Sequence, residues 1–264
     1  MDLFRIGDQL IHYRVEGDPN GFPVVFANSL GTDFRLWDQL IPLLPSGLRI
    51  LRFDKRGHGL SSCPDSDYSI DDLVNDCASL MRSEGFEKSL FIGLSIGGLI
   101  AQGLAVKAPD LVRAIVISNS AAKIGTSEMW QDRIGVLQEH GIEALADSIM
   151  ERWFSRQFHK NRSDELKGWR SMLTRTPLQG YIGCSKAIAH SDFHQSTATL
   201  TLPAMAIAGS EDGSTPPTVV KACADLIEGC HYVEIQGAGH LPCVEQPQVY
   251  ANHLIQFMGD IDFV

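Results

Sequence analysis

Three side chains in this sequence have the types, and fall in the order, needed to turn a hydroxyl into a nucleophile: Ser95, Asp212 and His240. Ser95 is the centre of Gly93-Leu94-Ser95-Ile96-Gly97, with apolar Phe91-Ile92 before it and small, apolar Gly98-Leu99-Ile100-Ala101 after it. That context predicts a strand that turns sharply into a helix and lifts one hydroxyl clear of a sheet. Gly93 and Gly97 suit it, because side chains there would collide across so tight a turn. The pentapeptide is common by chance, so its neighbours must carry the reading.

A serine hydroxyl needs a base near neutral pH, and the base needs an acid to orient it. Ala206-Ile207-Ala208-Gly209-Ser210-Glu211-Asp212 puts two carboxylates just past an apolar run, and Tyr232 to Gly239 delivers His240 just past the next. Glu211 competes for the acid role. Asp212 is preferred because it lies further along the loop, next to Gly213. His58 is the nearest rival base, and is expected instead to brace the loop containing Arg56. Acyl transfer also requires donors aimed at a developing oxyanion. The backbone of Ile96, directly after the nucleophile, is expected to supply one, and that of Leu30, in the loop after the 24–27 run, the second.

The elements that must position these groups follow from hydrophobic patterning. Residues 4–6 and 10–15 alternate around Gly7-Asp8 and read as a hairpin. The wholly apolar run 24–27 reads as a strand buried on both faces, and 49–53 as the next. A helix is expected over 34–44, and another from an N-cap at Ser69 to about Arg82. After the turn at Ser95 come a helix to about 106 and a strand at 114–117. Strands at 204–208 and 232–235, with a helix over 217–227 and a last one from 246–247 onward, resume the same rhythm. Such alternation implies a mostly parallel sheet with helices on both faces and an antiparallel hairpin at its start. Residues 121–200 break the pattern, being mostly helical. They are expected to form a lid inserted between core segments 1–120 and 201–264, over the sheet edge where such folds bind ligands.

At 264 residues with 44% hydrophobic and 20% charged residues, the chain is expected to be an ordinary globular protein with one large core. A formal net charge of −10 argues against nucleic acid or an anionic membrane as partner. No apolar run approaches the roughly 18 residues of a spanning helix, and residues 1–5 carry no secretory pattern. Six cysteines without a C-x-x-C pair imply reduced thiols, a cytoplasmic location and no metal site.

Several stretches together resemble the 3-oxoadipate enol-lactonases of the α/β-hydrolase fold: Asn28-Ser29-Leu30-Gly31-Thr32-Asp33, residues 93–103, Glu128-Met129-Trp130, Gly180-Tyr181-Ile182-Gly183-Cys184, residues 209–217 and residues 238–247. Many hydrolases of this fold carry His-Gly where Asn28-Ser29 stands here, which agrees with the lactonase-like pattern. The resemblance implies a small anionic lactone substrate, ring opening to 3-oxoadipate, and no cofactor. A carboxylesterase or cofactor-free perhydrolase on the same triad is the alternative. A substrate carboxylate calls for a local cation, and Arg133, Arg152, Arg156, Arg162, Arg170 and Arg175 all lie in the inserted segment. Arg133 is the expected anchor, with Trp130 and Trp153 either lining the pocket or packing within the lid.

Overall fold

The computed structural model describes residues 1–263. Its strands are β1 (Asp2–Ile6), β2 (Gln9–Gly17), β3 (Phe22–Ala27), β4 (Leu48–Phe53), β5 (Ser89–Leu94), β6 (Val112–Ser118), β7 (Ala204–Gly209) and β8 (His231–Ile235). They form one sheet in the order β1-β2-β4-β3-β5-β6-β7-β8. The first two form an antiparallel hairpin, β2 joins β4 antiparallel, and the remaining pairings are all parallel. Residues Val24 to Phe26 and Leu90 to Ile92 are completely buried, as the continuous apolar runs require. After β3 the chain leaves toward β4, whereas after β5 it leaves toward β6 on the opposite side. The crevice at the ends of β3 and β5 is therefore the switch point, the position where open parallel sheets bind ligands.

Around the sheet lie α1 (Ile70–Ser83) and α2 (Ile96–Lys107). Between β6 and β7 come α3 (Ser127–His140), α4 (Glu143–Trp153), α5 (Arg156–Asn161), α6 (Ser163–Thr174), α7 (Leu178–Ala189) and α8 (His194–Thr197), with no strand among them. The chain closes with α9 (Pro217–Ala224), α10 (Pro242–Glu245) and α11 (Pro247–Asp260). Helix α1 starts at Ser69 in a reciprocal capping box with Asp72. The expected core segment 201–264 ends on Val264, which lies outside the described residues.

Two expected elements are different. The 34–44 helix is instead two 3-10 turns, Phe34–Trp37 and Ile41–Leu43. The Asp33 carboxylate caps the first by accepting from the Arg35 N–H at 3.0 Å, and the backbone closes three-residue bonds such as Leu40 N–H to Trp37 O at 3.0 Å. Pro42 has no N–H to extend an α-helical ladder, and this tighter path leaves Leu36, Trp37 and Leu40 buried. Helix α9 is also shorter than the 217–227 expected, its last turn breaking up after Ala224. No helix among the described residues is long and apolar enough to cross a membrane.

The loop after β4, residues 54–59, is pinned from two directions. Arg56 donates bidentately to Asp76 of α1, at 2.6 and 2.7 Å, with both side chains buried. From above, Gly57 meets Gly180 of α7 so closely that a Cβ on Gly180 would lie 2.1 Å from the Gly57 carbonyl oxygen. Removing one member of a buried ion pair strands the other's charge. Asp76→Ala is therefore expected to cost about 3–5 kcal/mol in urea unfolding at neutral pH.

Candidate active site

Ser95 occupies the turn between β5 and α2 with φ +59° and ψ −117°, a region that costs a non-glycine residue on the order of 1–3 kcal/mol. The surroundings hold it there. Its N–H donates to Ser118 O at 2.9 Å, and its carbonyl accepts from Gly98 N–H at 2.8 Å and Ser120 Oγ at 2.7 Å. The two glycines are required by space: a Cβ on Gly93 would lie 2.0 Å from Gly97 O, and one on Gly97 would lie 2.2 Å from Ala27 O.

His240 follows β8 and Asp212 follows β7, and the two side chains meet with Nδ1 2.8 Å from Asp212 Oδ2. A carboxylate accepts, so Nδ1 carries the hydrogen and the lone pair of neutral imidazole lies on Nε2. Glu211 is turned elsewhere, accepting from the Arg156 N–H at 3.0 Å. Asp212 Oδ1 accepts from the N–H groups of Ser214 (2.7 Å) and Thr215 (3.0 Å), and Oδ2 also accepts from Thr215 Oγ1 (2.8 Å) and Asn119 Nδ2 (2.9 Å). Burial alone would raise the pKa of this carboxyl group. The charge of His240 and the surrounding donors more than reverse that, so Asp212 titrates below the ordinary carboxylate range.

The loop after β3 presents backbone donors. Among the described residues, the N–H groups of Leu30 and Ile96 have no protein acceptor, whereas Gly31 N–H donates to His58 Nε2 at 2.9 Å and Thr32 N–H to Ser29 O at 3.3 Å. Burial, reinforced by the charge of Lys55, pushes His58 well below its usual pKa, so its Nε2 is a neutral acceptor. His58 Nδ1 also lies 3.3 Å from Arg56 O, so this histidine joins the 54–59 loop to the loop after β3.

Ser95, His240, Leu30, Trp130, Trp153 and Arg133 all line one cavity of about 100 Å³. Both tryptophans are nearly fully buried and border the cavity at the same time, so pocket lining and lid packing are not alternatives. Arg152 lines it too. Arg133 stacks over the Trp130 ring at 5.1 Å, and Arg152 donates to Ser148 O at 3.2 Å. Neither pairs with a carboxylate among the described residues, whereas Arg162 pairs with Glu165 and Arg170 with Glu143 and Asp147. Burial and the neighbouring Arg133 charge lower the pKa of Arg152, as expected for two cations facing one small space. Arg175 borders a separate cleft of about 590 Å³, larger than the first but containing neither Ser95 nor His240.

A family model described as alpha/beta hydrolase fold matches residues 23–247. The chain belongs to the α/β-hydrolase family. It is 30% identical to 3-oxoadipate enol-lactonase 2 of Acinetobacter baylyi, covering 97% of this chain and 95% of that one. It is 32% identical to enol-lactonase 1 of the same organism, covering 94% and 92% respectively. Among solved structures, the enol-lactonase from Burkholderia xenovorans LB400 superposes with a TM-score of 0.94 at 31% identity, over 98% of this chain and 100% of that one.

Sequence reasoning missed two residues that hold the site together. Asn119, at φ +46° just past β6, bonds both Asp212 and Gly239 O, the latter at 3.3 Å. Glu245 accepts from Gly239 N–H at 2.7 Å and Ser155 Oγ at 2.5 Å, tying the His240 loop to the start of α5. An asparagine directly after an apolar strand was a signal for the first, because it tolerates the left-handed region. Asn119→Ala removes a hydrogen bond to a buried charge, so it is expected to lower unfolding stability by about 1.5–3 kcal/mol at neutral pH. Because the folded pKa of Asp212 is depressed, that difference should fade as pH falls through it and the carboxylate protonates. Urea titrations at neutral and acid pH check both parts.

Proposed function

We propose that the chain is a serine hydrolase that opens 3-oxoadipate enol-lactone to 3-oxoadipate, in the cytoplasmic breakdown of aromatic compounds. The observation that carries this reading is the convergence of Ser95, His240 and two arginines without acidic partners on a single small cavity. The likeness to enol-lactonases supports the choice of substrate.

In this reading, Ser95 Oγ attacks the lactone carbonyl as His240 Nε2 takes its proton, while Asp212 holds the imidazole and stabilises its charged form. The tetrahedral oxyanion lies against the N–H groups of Leu30 and Ile96. Collapse breaks the ring C–O bond. The departing enolate oxygen takes the proton from His240 and stays tethered to the acyl-enzyme. Water, deprotonated by His240, then attacks the ester carbonyl, and the same proton returns to Ser95 as the product acid leaves. The substrate's free carboxylate sits between Arg133 and Arg152, which replace the water it loses.

Residues 121–200 act as the lid over core segments 1–120 and 201–264. Ligand pockets commonly exceed about 300 Å³, so a cavity of about 100 Å³ corresponds to a closed lid that must part for the lactone to enter.

Loss of the lactone's ultraviolet absorbance tests the reading, with an aryl acetate for comparison. Ser95→Ala is expected to lower kcat by about 10⁵-fold or more. Arg133→Ala and Arg152→Ala should each raise KM for the lactone about 10- to 100-fold while leaving aryl acetate hydrolysis unchanged. Poor lactone turnover beside efficient, Ser95-dependent ester turnover would keep the serine hydrolase and discard the lactone.

A further inference from the structure

Lys55 is a buried cation without a counter-ion. Its side chain is almost completely enclosed, no carboxylate lies within ion-pair distance among the described residues, and Nζ donates instead to three carbonyls of the loop after β3. The shortest contact is to Ser29 O at 2.6 Å, with Asn28 O and Thr32 O at 3.4 Å.

We propose that Lys55 is a positioning residue for the oxyanion donor, holding and polarising the Ser29–Leu30 peptide unit from the side opposite the cavity. The inference rests on Leu30 N–H being that donor, as in the function proposed above.

The geometry follows from peptide planarity. No peptide bond in the described residues is cis, so the Ser29 C=O and the Leu30 N–H, which belong to one planar unit, point in opposite directions. The ammonium, which makes the shortest contact to this oxygen at 2.6 Å beside the Thr32 hydroxyl at 2.9 Å, therefore helps fix where the hydrogen points. Ser29 and Leu30 both line the cavity that contains Ser95, and the next two N–H groups are already committed to His58 and Ser29 O. Leu30 N–H is left to face a ligand.

Electrostatics supplies the second half of the argument. A charge on the carbonyl draws density from the amide and strengthens its N–H as a donor, because linked hydrogen bonds polarise one another. Burying an unpaired cation is costly, and a neutral donor would hold the same carbonyls at less expense. What a neutral donor cannot do is favour a negative charge beyond the peptide. That charge is absent in the ground state and appears only on the tetrahedral oxyanion. The interaction is therefore stronger in the transition state than with bound substrate, which is the condition for raising kcat rather than lowering KM.

The groups facing Lys55 are Asp33 on the donor loop, Asp54 and His58 on the loop after β4, and Cys184 on α7. Burial lowers the lysine to about 8, partly offset by the charges of Asp54 and Asp33. His58 is neutral throughout this range, and burial raises the Cys184 thiol to about 12. A folded pKa below the usual lysine value means the ammonium, and its contribution to kcat, is lost as pH rises through about 8.

The test compares wild type with Lys55→Met, which keeps length without charge, and Lys55→Gln, which keeps a donor without charge. Each is assayed on the enol-lactone and on an aryl acetate across about pH 7 to about 9.5. Wild-type kcat is expected to fall about fivefold over that range with KM steady. Lys55→Met should lower kcat about 10- to 100-fold at neutral pH, with KM within about twofold and the alkaline limb gone. Lys55→Gln should fall between the two and also lack the limb. An alkyl boronic acid, which forms a tetrahedral adduct on the serine, should weaken in parallel with kcat. A Lys55→Met enzyme that melts earlier but keeps wild-type kcat and the limb overturns the proposal and makes Lys55 purely structural. Should Lys55→Met not fold, Lys55→Gln and the wild-type profile decide, and a wild-type kcat that stays flat across the range overturns it. Absence of Ser95-dependent hydrolysis in wild type overturns the enzymatic reading itself, and this proposal with it. Ser95-dependent hydrolysis unaffected by Lys55→Met overturns this proposal alone.

Discussion

The site depends on one close approach: Gly97, in the first turn of α2, lies against the carbonyl of Ala27 at the end of β3 with no room for a Cβ. That contact brings the turn bearing Ser95 beside the loop that begins at Asn28. A bulkier residue would force α2 off β3 and separate the serine from the Leu30 N–H. The strained backbone at Ser95 follows from the same constraint, since a strand and helix packed this tightly leave only a left-handed residue between them. The strain is held by β5, which is buried along its length and paired on both sides, with β3 and β6.

Charge is arranged against the protein's overall field. The formal net charge is −10, yet the groups nearest the cavity are Arg133, Arg152 and, behind one peptide unit, Lys55. None of the three is neutralised by an ion pair among the described residues. The single carboxylate of the site, Asp212, is surrounded by donors and set behind His240 rather than in the cavity. A negative ligand therefore meets positive charge that the fold has left unspent. At the two arginines that are buried among the described residues the fold does the opposite: Arg52 is matched by Glu16 and Asp38, and Arg56 by Asp76.

How much of this was legible in the sequence depends on how far each contact reaches. Ser95, Asp212 and His240 follow strands that announce themselves as apolar runs, and parallel strands bring their ends to one edge whatever the details between. The fold class was readable for the same reason. The 34–44 segment was not, because its apolar spacing suits a helix and only Pro42 and the Asp33 cap tip it toward 3-10 turns. Arg152 stood in the sequence behind Arg133, as one of six arginines in the inserted segment. Its distinction is its place beside Arg133 in the lining of the Ser95 cavity, and packing across helices is invisible in one dimension. Asn119, Glu245 and Lys55 act on backbone groups up to 120 residues away, and backbone groups carry no sequence signature.

The segment from Arg152 to Arg156 joins these observations. Its backbone carbonyls accept from the two loops that carry Asp212 and His240: Gly213 N–H bonds Arg152 O at 3.1 Å, and His240 N–H bonds Trp153 O at 2.8 Å. Ser155 is held by Glu245 at the end of α10, and Arg156 N–H by Glu211 in the loop after β7. The end of α4 is thus built into the same frame as the Asp212–His240 pair, although it belongs to the helical segment between β6 and β7. A rigid body that opened the whole segment at once would break these bonds and disturb the pair. Helix α6 reaches the loop after β3 through the side chain of Leu173, which lies against Gly31. The backbones at Arg152 and at His240 are consequently tied to one another across the cavity wall.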